Sequence, residues 1–320
     1  MTNTLQLQQK KLNKVLALGA IASLSIGLIA ISFAANFIKL SEYELSPNST
    51  IFNRLWIASV VLGLWKGLMT IRDQLSQHKF RQPKSYTPQD VGLLLGFGAF
   101  FAFSQLFWAW SLTQTSVAIS TVLHNLTPMF TSLGAWLLFG RHYDCKFGVG
   151  MVIAIAGVTA IGLEDLQITS GKNTGDVAAV LSAVLVAMYV LVAEQLRTKL
   201  TATTILLWGS SVAAFVTFPV LLFTHDQFFP SSWKGWLSVI ALALICQVLG
   251  QGLIAHSLSR LTSGFVATAF LLDPVLSSIE AWVIFSEQLS LSNWLAFITV
   301  LMGVYLAVSS QSIVKPTEEF

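Results

Sequence analysis

Apolar residues along this chain come in long uninterrupted runs. They show neither the strict alternation of a half-buried strand nor the single stripe of a surface helix. A helix needs about 20 such residues to cross the hydrocarbon core of a bilayer. Ten runs qualify, over residues 15–38, 50–71, 90–112, 116–139, 146–163, 176–197, 203–224, 234–257, 263–285 and 291–310. Polar segments punctuate them, among them 42–49, 72–89, 141–146, 164–175 and 224–232. A β-barrel would instead show strands of about 10 residues alternating in polarity. The pattern predicts an all-α membrane protein with ten transmembrane helices, numbered here as spans 1–10.

Composition removes the alternatives. The 320 residues are 54% hydrophobic and 10% charged, with mean hydropathy +0.71. An average soluble domain carries about 25% charged residues. So few charges cannot cover a water-exposed surface, which excludes disorder, nucleic-acid binding and a disulfide-stapled secreted fold. The lipid bilayer is the partner implied, and no nucleic acid. Cys145 and Cys246 match no metal or redox spacing, and no cofactor or metal is expected.

The net charge of +3 is small, but its placement orients the chain through the positive-inside rule. With a cytoplasmic N-terminus, that side receives Lys10, Lys11, Lys14, Arg72, Lys79, Arg81, Lys84, Arg141, Lys146, Arg197, Lys199, Arg260 and Lys315, with Lys66 nearby. The other side receives Lys39, Arg54, Lys172 and Lys234, together with acidic Glu42, Glu44, Glu164 and Asp165. The bias predicts that both termini are cytoplasmic. The N-terminal tail shows no clear transit peptide, which favours a bacterial cytoplasmic (plasma) membrane. Lys10, Lys11 and Lys14 before Ser32-Phe33-Ala34 resemble a signal peptide, but the apolar run between them is too long for one.

The chain also repeats itself. Ala109 to Ile161 aligns without a gap on Ala255 to Ala307. Leu126-Thr127-Pro128 falls on Leu272-Asp273-Pro274, Ala135-Trp136 on Ala281-Trp282, and Gly157-Val158 on Gly303-Val304. Upstream, Gln105 falls on Gln251. Matched Leu and Ala mean little in apolar helices, whereas matched Pro, Trp, Gln and Gly are harder to dismiss. Two copies with an odd number of spans must enter the membrane from opposite sides. Such an inverted repeat is a recurrent plan of secondary transporters, with the site near the midplane between copies.

These motifs resemble the EamA-type members of the drug/metabolite transporter superfamily. The resemblance rests on Pro47, Arg54 and Ala58 opening span 2, and on Ser116 to Pro128 leading into Phe139-Gly140. In the second copy it rests on Gly175-Asp176, Thr262 to Pro274, and Phe285-Ser286-Glu287. It implies ten helices around a central cavity, and a homodimer through helices 5 and 10. The family usually has Glu after the fourth helix of each copy. Glu287 keeps it and Arg141 replaces it, so the two halves are expected to gate differently. The implied division is a cytoplasmic tail (1–14), a first five-helix repeat (15–163), an external linker (164–175), a second repeat (176–310) and a second tail (311–320).

Ionisable groups deep in a membrane are costly and mark function. Asp273 lies near the middle of span 9, just before Pro274. Proline lacks a backbone donor and disfavours helix in the residue before it. Pro274 and its repeat mate Pro128 are therefore candidate hinges. A carboxylate beside that break could hold a proton, a sodium ion or an amine. Ser277 and Glu280 follow on the same face. Ser116, Ser120, His124, Thr127 and Thr131 make one polar face of span 4, with Asn125 beside them. His124 is a candidate for proton exchange with Asp273.

Gln105, Gln251 and Gln247 could line a cavity from spans 3 and 8. Ser25, Ser32 and Asn36 form a weaker polar face on span 1. Trp108 could contact a flat or cationic ligand. Gly92 and Gly96 suggest close helix packing. Glu194 and Arg197 read as a snorkelling pair at the end of span 6. No Lys or Arg is placed at the midplane, so no bidentate phosphate clamp is expected. That argues against the triose phosphates and nucleotide sugars carried by other branches of the superfamily.

The expected function is secondary active export of a small metabolite, amino acid or amphiphilic amine, by proton antiport through Asp273. An uncoupled facilitator or exchanger is the alternative within transport. A non-transporting receptor or assembly protein is the alternative outside it. The chain has no HExxH, no GxSxG and no carboxylate pair suited to proteolysis or glycosyl transfer, so an enzyme is not expected.

Overall fold

The structure, a computed structural model, describes residues 2–75, 86–115, 117–163, 173–285 and 290–310, and its regular elements are all helical. The first half of the chain carries α1 (Thr2–Ser41), α2 (Pro47–Leu75), α3 (Pro88–Gln114), α4 (Val117–His124), α5 (Thr127–Phe139) and α6 (Cys145–Leu163). The second half carries α7 (Asn173–Leu196), α8 (Ala202–Thr224) and α9 (Trp233–Ala241), which runs through a π-helical stretch (Leu242–Gly250) into α10 (Gln251–Ser257). Then come α11 (Ser263–Ala269), a 3-10 turn (Phe270–Leu272), α12 (Asp273–Phe285) and α13 (Leu291–Val308).

Seven helical stretches among the described residues are long and apolar enough to cross a bilayer. Shorter apolar helices cover Cys145–Ala160 and Leu291–Ala307. Leu64, Phe215, Phe223 and Met302 are exposed large apolar side chains on these helices. In water they would form adhesive patches, whereas in a bilayer they meet acyl chains. The repeat-related Trp136 and Trp282 are both about half exposed and so face outward alike.

Spans 4 and 9 were each expected to carry a candidate hinge, at Pro128 and Pro274. Both are broken, at the same point of the repeat. The chain leaves α4 at His124 and restarts at Thr127, with Pro128 in the first turn of α5. It leaves α11 at Ala269, tightens into the 3-10 turn, and restarts at Asp273 with Pro274 second. Proline suits the first turn of a helix, where its missing N–H has no partner to lose. Side chains satisfy carbonyls at the first break: Asn125 Nδ2 donates to Thr121 O (2.8 Å) and Thr127 Oγ1 to His124 O (2.7 Å).

Helices approach one another closely where glycine meets backbone. A Cβ on Gly98 of α3 would lie 2.8 Å from Gly209 O of α8. On α6 and α13, Gly150 faces the Gly303 and Ala307 backbone, and Gly303 faces Ala154. The expected pair Gly92 and Gly96 is not such a contact. Gly92 has nothing within 4 Å, and Gly96 meets only Phe100 of its own helix. Gly98, two residues on, is the one turned toward a neighbour. Spans 5 and 10, α6 and α13, pack on each other inside one chain, while Val152, Ile298 and Met302 on them stay exposed.

Candidate functional site

The π-helical stretch between α9 and α10 positions the first component. Its wider turn, a frequent mark of functional sites, leaves Gln247 buried and Gln251 buried just beyond it. Gln247 Oε1 accepts from Arg54 Nε of α2 at 2.8 Å, and Gln247 Nε2 donates to Ser210 Oγ of α8 at 3.3 Å. Arg54 is only 7% exposed. Arg54 was expected among the charges of the outer side, and the structure buries it instead. Arg54 lies inside the apolar run of span 2, and its long side chain turns inward onto Gln247.

Asp273 supplies the second component as the first residue of α12. Its Oδ1 is buried and has no hydrogen-bond partner among the described residues. It interacts electrostatically with Arg54 and with Glu280. Among the described residues Arg54 and Asp273 make no ion pair within 4.0 Å. Glu280 lies two turns on and is held by α1, accepting from Ser32 Oγ (2.6 Å) and Asn36 Nδ2 (3.2 Å). Ser32 and Asn36 thus serve the site, whereas Ser25 is exposed.

Tyr189 of α7 completes the centre. Its hydroxyl meets the Gln251 amide, and its ring stands edge-on to Phe97 and Phe101 of α3. Beside it lies a narrow crevice of about 10 Å³ between Tyr189, Gln251, Leu206 and Phe270. That space suits a water-sized group. Gln105, the repeat mate of Gln251, is half-buried on α3.

His124 belongs to a separate network. Its Nδ1 meets Ser182 Oγ of α7 at 2.7 Å, while Ser182 Oγ also donates to Ala179 O at 2.8 Å. With the hydroxyl proton directed to that carbonyl, Nδ1 acts as the donor to Ser182. The Trp108 ring lies 5.2 Å from the imidazole, and its Nε1 is buried without a partner among the described residues. Ser111 and Ser120 bond nearby at 2.5 Å. The structure therefore joins His124 to Ser182 and Trp108, not to Asp273 as expected. The polar face expected along span 4 is divided by the break at Asn125, and Ser116 lies outside the described residues.

At one end of the bundle, Glu194 closes α7. It accepts from Ser263 N of α11 at 2.9 Å and pairs with Arg141, beyond α5, at 3.4 Å. Tyr143 packs against Gly264, and burial together with the charge of Glu194 pushes its phenol up to about 12. Arg197 donates to Ala255 O (2.8 Å) and Leu200 O (2.5 Å), and Lys199 pairs with Asp90 at 3.0 Å. Glu194 is 3% exposed, so the snorkelling expected of Glu194 and Arg197 is replaced by buried ties. At the opposite end, Glu44 accepts from Ser231 N (3.1 Å) and from the N–H and hydroxyl of Ser232. The Ser232 hydroxyl, first among these donors, holds the Glu44 carboxyl below its ordinary range. Asn48 bonds Asp226 there (3.1 Å), and Asn53 bonds Phe228 O (2.7 Å).

A family model described as the EamA-like transporter family matches residues 15–163 and 173–309. The chain belongs to the EamA-like transporter family. An uncharacterized transporter of Archaeoglobus fulgidus is 24% identical, over 86% of this chain and 92% of its own. The uncharacterized transporter YdfC of Bacillus subtilis is 23% identical, over 91% of each chain. A solved crystal structure shares the fold with TM-score 0.72 and 17% identity, covering 91% of this chain and 96% of its own. As an EamA-like transporter, the protein is an integral, multi-pass membrane protein.

Within this EamA-like chain, sequence reasoning missed Arg54 and Glu194. Arg54 had been read as a boundary charge, although five residues of span 2 precede or include it and Asn53 sits beside it. Glu194 carried a weaker signal: an acidic residue still inside an apolar run, three residues before Arg197. Glu287, where the resemblance places the retained acidic residue, lies outside the described residues.

Proposed function

We propose that this EamA-like protein is a secondary active transporter exporting a small organic solute by alternating access, coupled to proton antiport. The observation that carries this reading is Asp273, a buried carboxylate at the helix break of the second repeat, one of whose oxygens has no hydrogen-bond partner among the described residues. A bare carboxylate there is costly, and a proton or a cationic group relieves the cost. Competition of the two for one carboxylate is antiport. Asp273 takes a proton from outside and releases it inside as solute binds, and the solute leaves by the outer route.

In this reading the chain crosses the membrane ten times, with α4–α5 and α11–α12 as broken crossings and both termini in the cytoplasm. The two five-helix units correspond to residues 15–163 and 176–310. The Glu194 ties then close the cytoplasmic end, with Arg141 providing the charge partner that a Glu there could not. Pro128 and Pro274 mark the hinges. A homodimer would use the exposed outer faces of α6 and α13. The setting is a bacterial plasma membrane.

Liposomes holding a pH-sensitive dye test the coupling, with amino acids, amines and sugars applied to wild type and Asp273→Asn side by side. Proton flux evoked by one solute class and lost in the variant is the expected result. Solute-evoked proton flux that persists in Asp273→Asn overturns the role of Asp273. A second reading, uncoupled exchange, is favoured by Arg54, which already supplies a counter-charge to Asp273. In that case labelled-solute counterflow survives the substitution.

A further inference from the structure

The turn between α1 and α2 and the turn between α7 and α8 share one set of hydrogen bonds, although they lie in different halves of the chain. Leu45 N donates to Ser41 O (2.9 Å) and Leu200 N to Leu196 O (2.8 Å). Glu44 N donates to Ser41 O and Lys199 N to Leu196 O, both at 3.0 Å. Ser46 Oγ accepts from Ser49 N (3.2 Å) and Thr201 Oγ1 from Thr204 N (3.3 Å), so each hydroxyl caps the helix that follows. Glu44 and Lys199 therefore occupy one structural position, just ahead of the cap.

Their partners correspond as well. Glu44 reaches the start of α9, where the Ser232 hydroxyl caps the helix through Gly235 N at 3.1 Å. Lys199 reaches the start of α3, where the Thr87 hydroxyl caps the helix through Asp90 N at 3.2 Å. Gly235 and Asp90 thus hold the same place after their caps, but the chemistry is inverted. A helix N-terminus is positive and favours a carboxylate beside it. Glu44 accordingly binds the N–H groups of Ser231 and Ser232 and the Ser232 hydroxyl. Gly235 leaves the room, because a Cβ there would fall 2.7 Å from Glu44 Oε2. A lysine gains nothing from such a terminus. Lys199 instead pairs with Asp90 at 3.0 Å, and Asp90 supplies the negative charge where Gly235 has no side chain.

Each tie joins the two halves of the chain, in opposite senses. Glu44 of the first half holds α9 of the second, and Lys199 of the second holds α3 of the first. Relative motion of the halves strains both, and in an inverted repeat a movement at one end has its counterpart at the other. Common descent of the two turns would hand down residues; here both partners differ and the contact persists. We propose that the Glu44–Ser232 and Lys199–Asp90 ties are equivalent latches, one at each end of the bundle, released in alternation. The proposal deepens the alternating-access reading and rests on it for the use of the motion, but not for the motion itself.

The test is hydrogen–deuterium exchange of the purified full chain in lipid nanodiscs. Peptides covering 41–50 and 231–239 report one end, and peptides covering 88–96 and 196–205 the other. Lys199→Gln should speed exchange about 5-fold at its own end and slow it about 2-fold at the Glu44 end, because one end opens only while the other is shut. Glu44→Ala should give the mirror image. Lys199→Glu sets an acid against Asp90 and should act at least as strongly as Lys199→Gln. Adding Asp90→Gly to it should reverse the effect, by rebuilding the Glu44 arrangement at α3. A rise confined to the substituted end overturns the proposal and leaves plain fastenings, as does a rise at both ends or at neither. Failure of Asp90→Gly to reverse Lys199→Glu overturns the equivalence of the two latches. Lys199 is exposed in a turn, and Asp90→Asn weakens the same pair from its other side should Lys199→Gln fail to fold. Flux of amino acids, amines and sugars into liposomes separates the two claims. Reciprocal exchange in a protein that carries none of them sinks the transport reading and leaves the latches standing, whereas flux without reciprocity does the reverse.

Discussion

Arg54 Nε and Gln247 Oε1 lie 2.8 Å apart and join α2 of the first repeat to the π-helical stretch of the second. Removing the acceptor strands a buried charged donor, and a buried polar group left without its partner costs about 1–3 kcal/mol. Gln247→Leu should therefore lower stability in detergent by that amount, while Gln247→Glu, which keeps an acceptor and adds an opposing charge, should lose less. Denaturant unfolding of the three proteins compares them. Equal stability of wild type and Gln247→Leu would mean the bond contributes nothing.

Much of this architecture is legible in the chain. Long apolar runs announce the helices, and the paired Leu126-Thr127-Pro128 and Leu272-Asp273-Pro274 mark both breaks. Asp273 and Glu280 could be placed on one face from spacing alone, and the structure couples them electrostatically. Partners could not be read, because pairing across helices depends on rotation and tilt that a one-dimensional pattern does not carry. Gln247 reaches Arg54 through a π-helical turn, which shifts the helical phase that a 3.6-residue reading assumes. His124 finds Ser182 because α4 stops at His124, whereas a continuous helix would have carried the polar face onward. Arg54 was misread because positive charges near a span end usually reach water, and only the packed bundle shows that this one does not.

Glu194 holds the first backbone N–H of α11 and the Arg141 guanidinium together. Opening this end must break both contacts, so Glu194→Ala should shift the population toward the open form. Ser263→Cys, in a background with Cys145→Ser and Cys246→Ala, reports the change, because Ser263 is fully buried. Its labelling by a membrane-impermeant maleimide should quicken about 5-fold or more when Glu194→Ala is added, a shift worth about 1 kcal/mol. An unchanged rate would show that these contacts do not hold the end shut.

Glu44 links the α1–α2 turn to the start of α9, and hydrogen bonds from Ser232 and Ser231 depress its pKa below the ordinary 4.5 of a glutamate. A depressed folded pKa means that the carboxylate stabilises the folded form above the unfolded value, and that this contribution fades as pH falls through the folded value. Wild type should accordingly exceed Glu44→Gln in thermal midpoint at neutral pH. The gap should close on acidification below 4.5. Midpoints measured across the acid range check the sign. A gap that widened toward acid would contradict the carboxylate's role.

Gly303 on α13 allows the closest helix approach in the molecule's α6–α13 pair. A Cβ there would fall 2.3 Å from Ala154 N and 2.6 Å from Gly150 O, both backbone atoms. No rotamer change can relieve such a contact, so the helices would have to part. Forcing extra atoms into a well-packed contact typically costs about 1–3 kcal/mol, and Gly303→Ala should lose that much stability in detergent. Gly148, in the first turn of α6, supplies the control, because nothing lies within 4 Å of its added Cβ. There Ala replaces Gly without a clash and gains up to about 1 kcal/mol of helix propensity. The two substitutions are chemically identical and should act with opposite sign on the same unfolding assay. If they shift stability equally, the close approach of α6 and α13 is not a determinant of the fold.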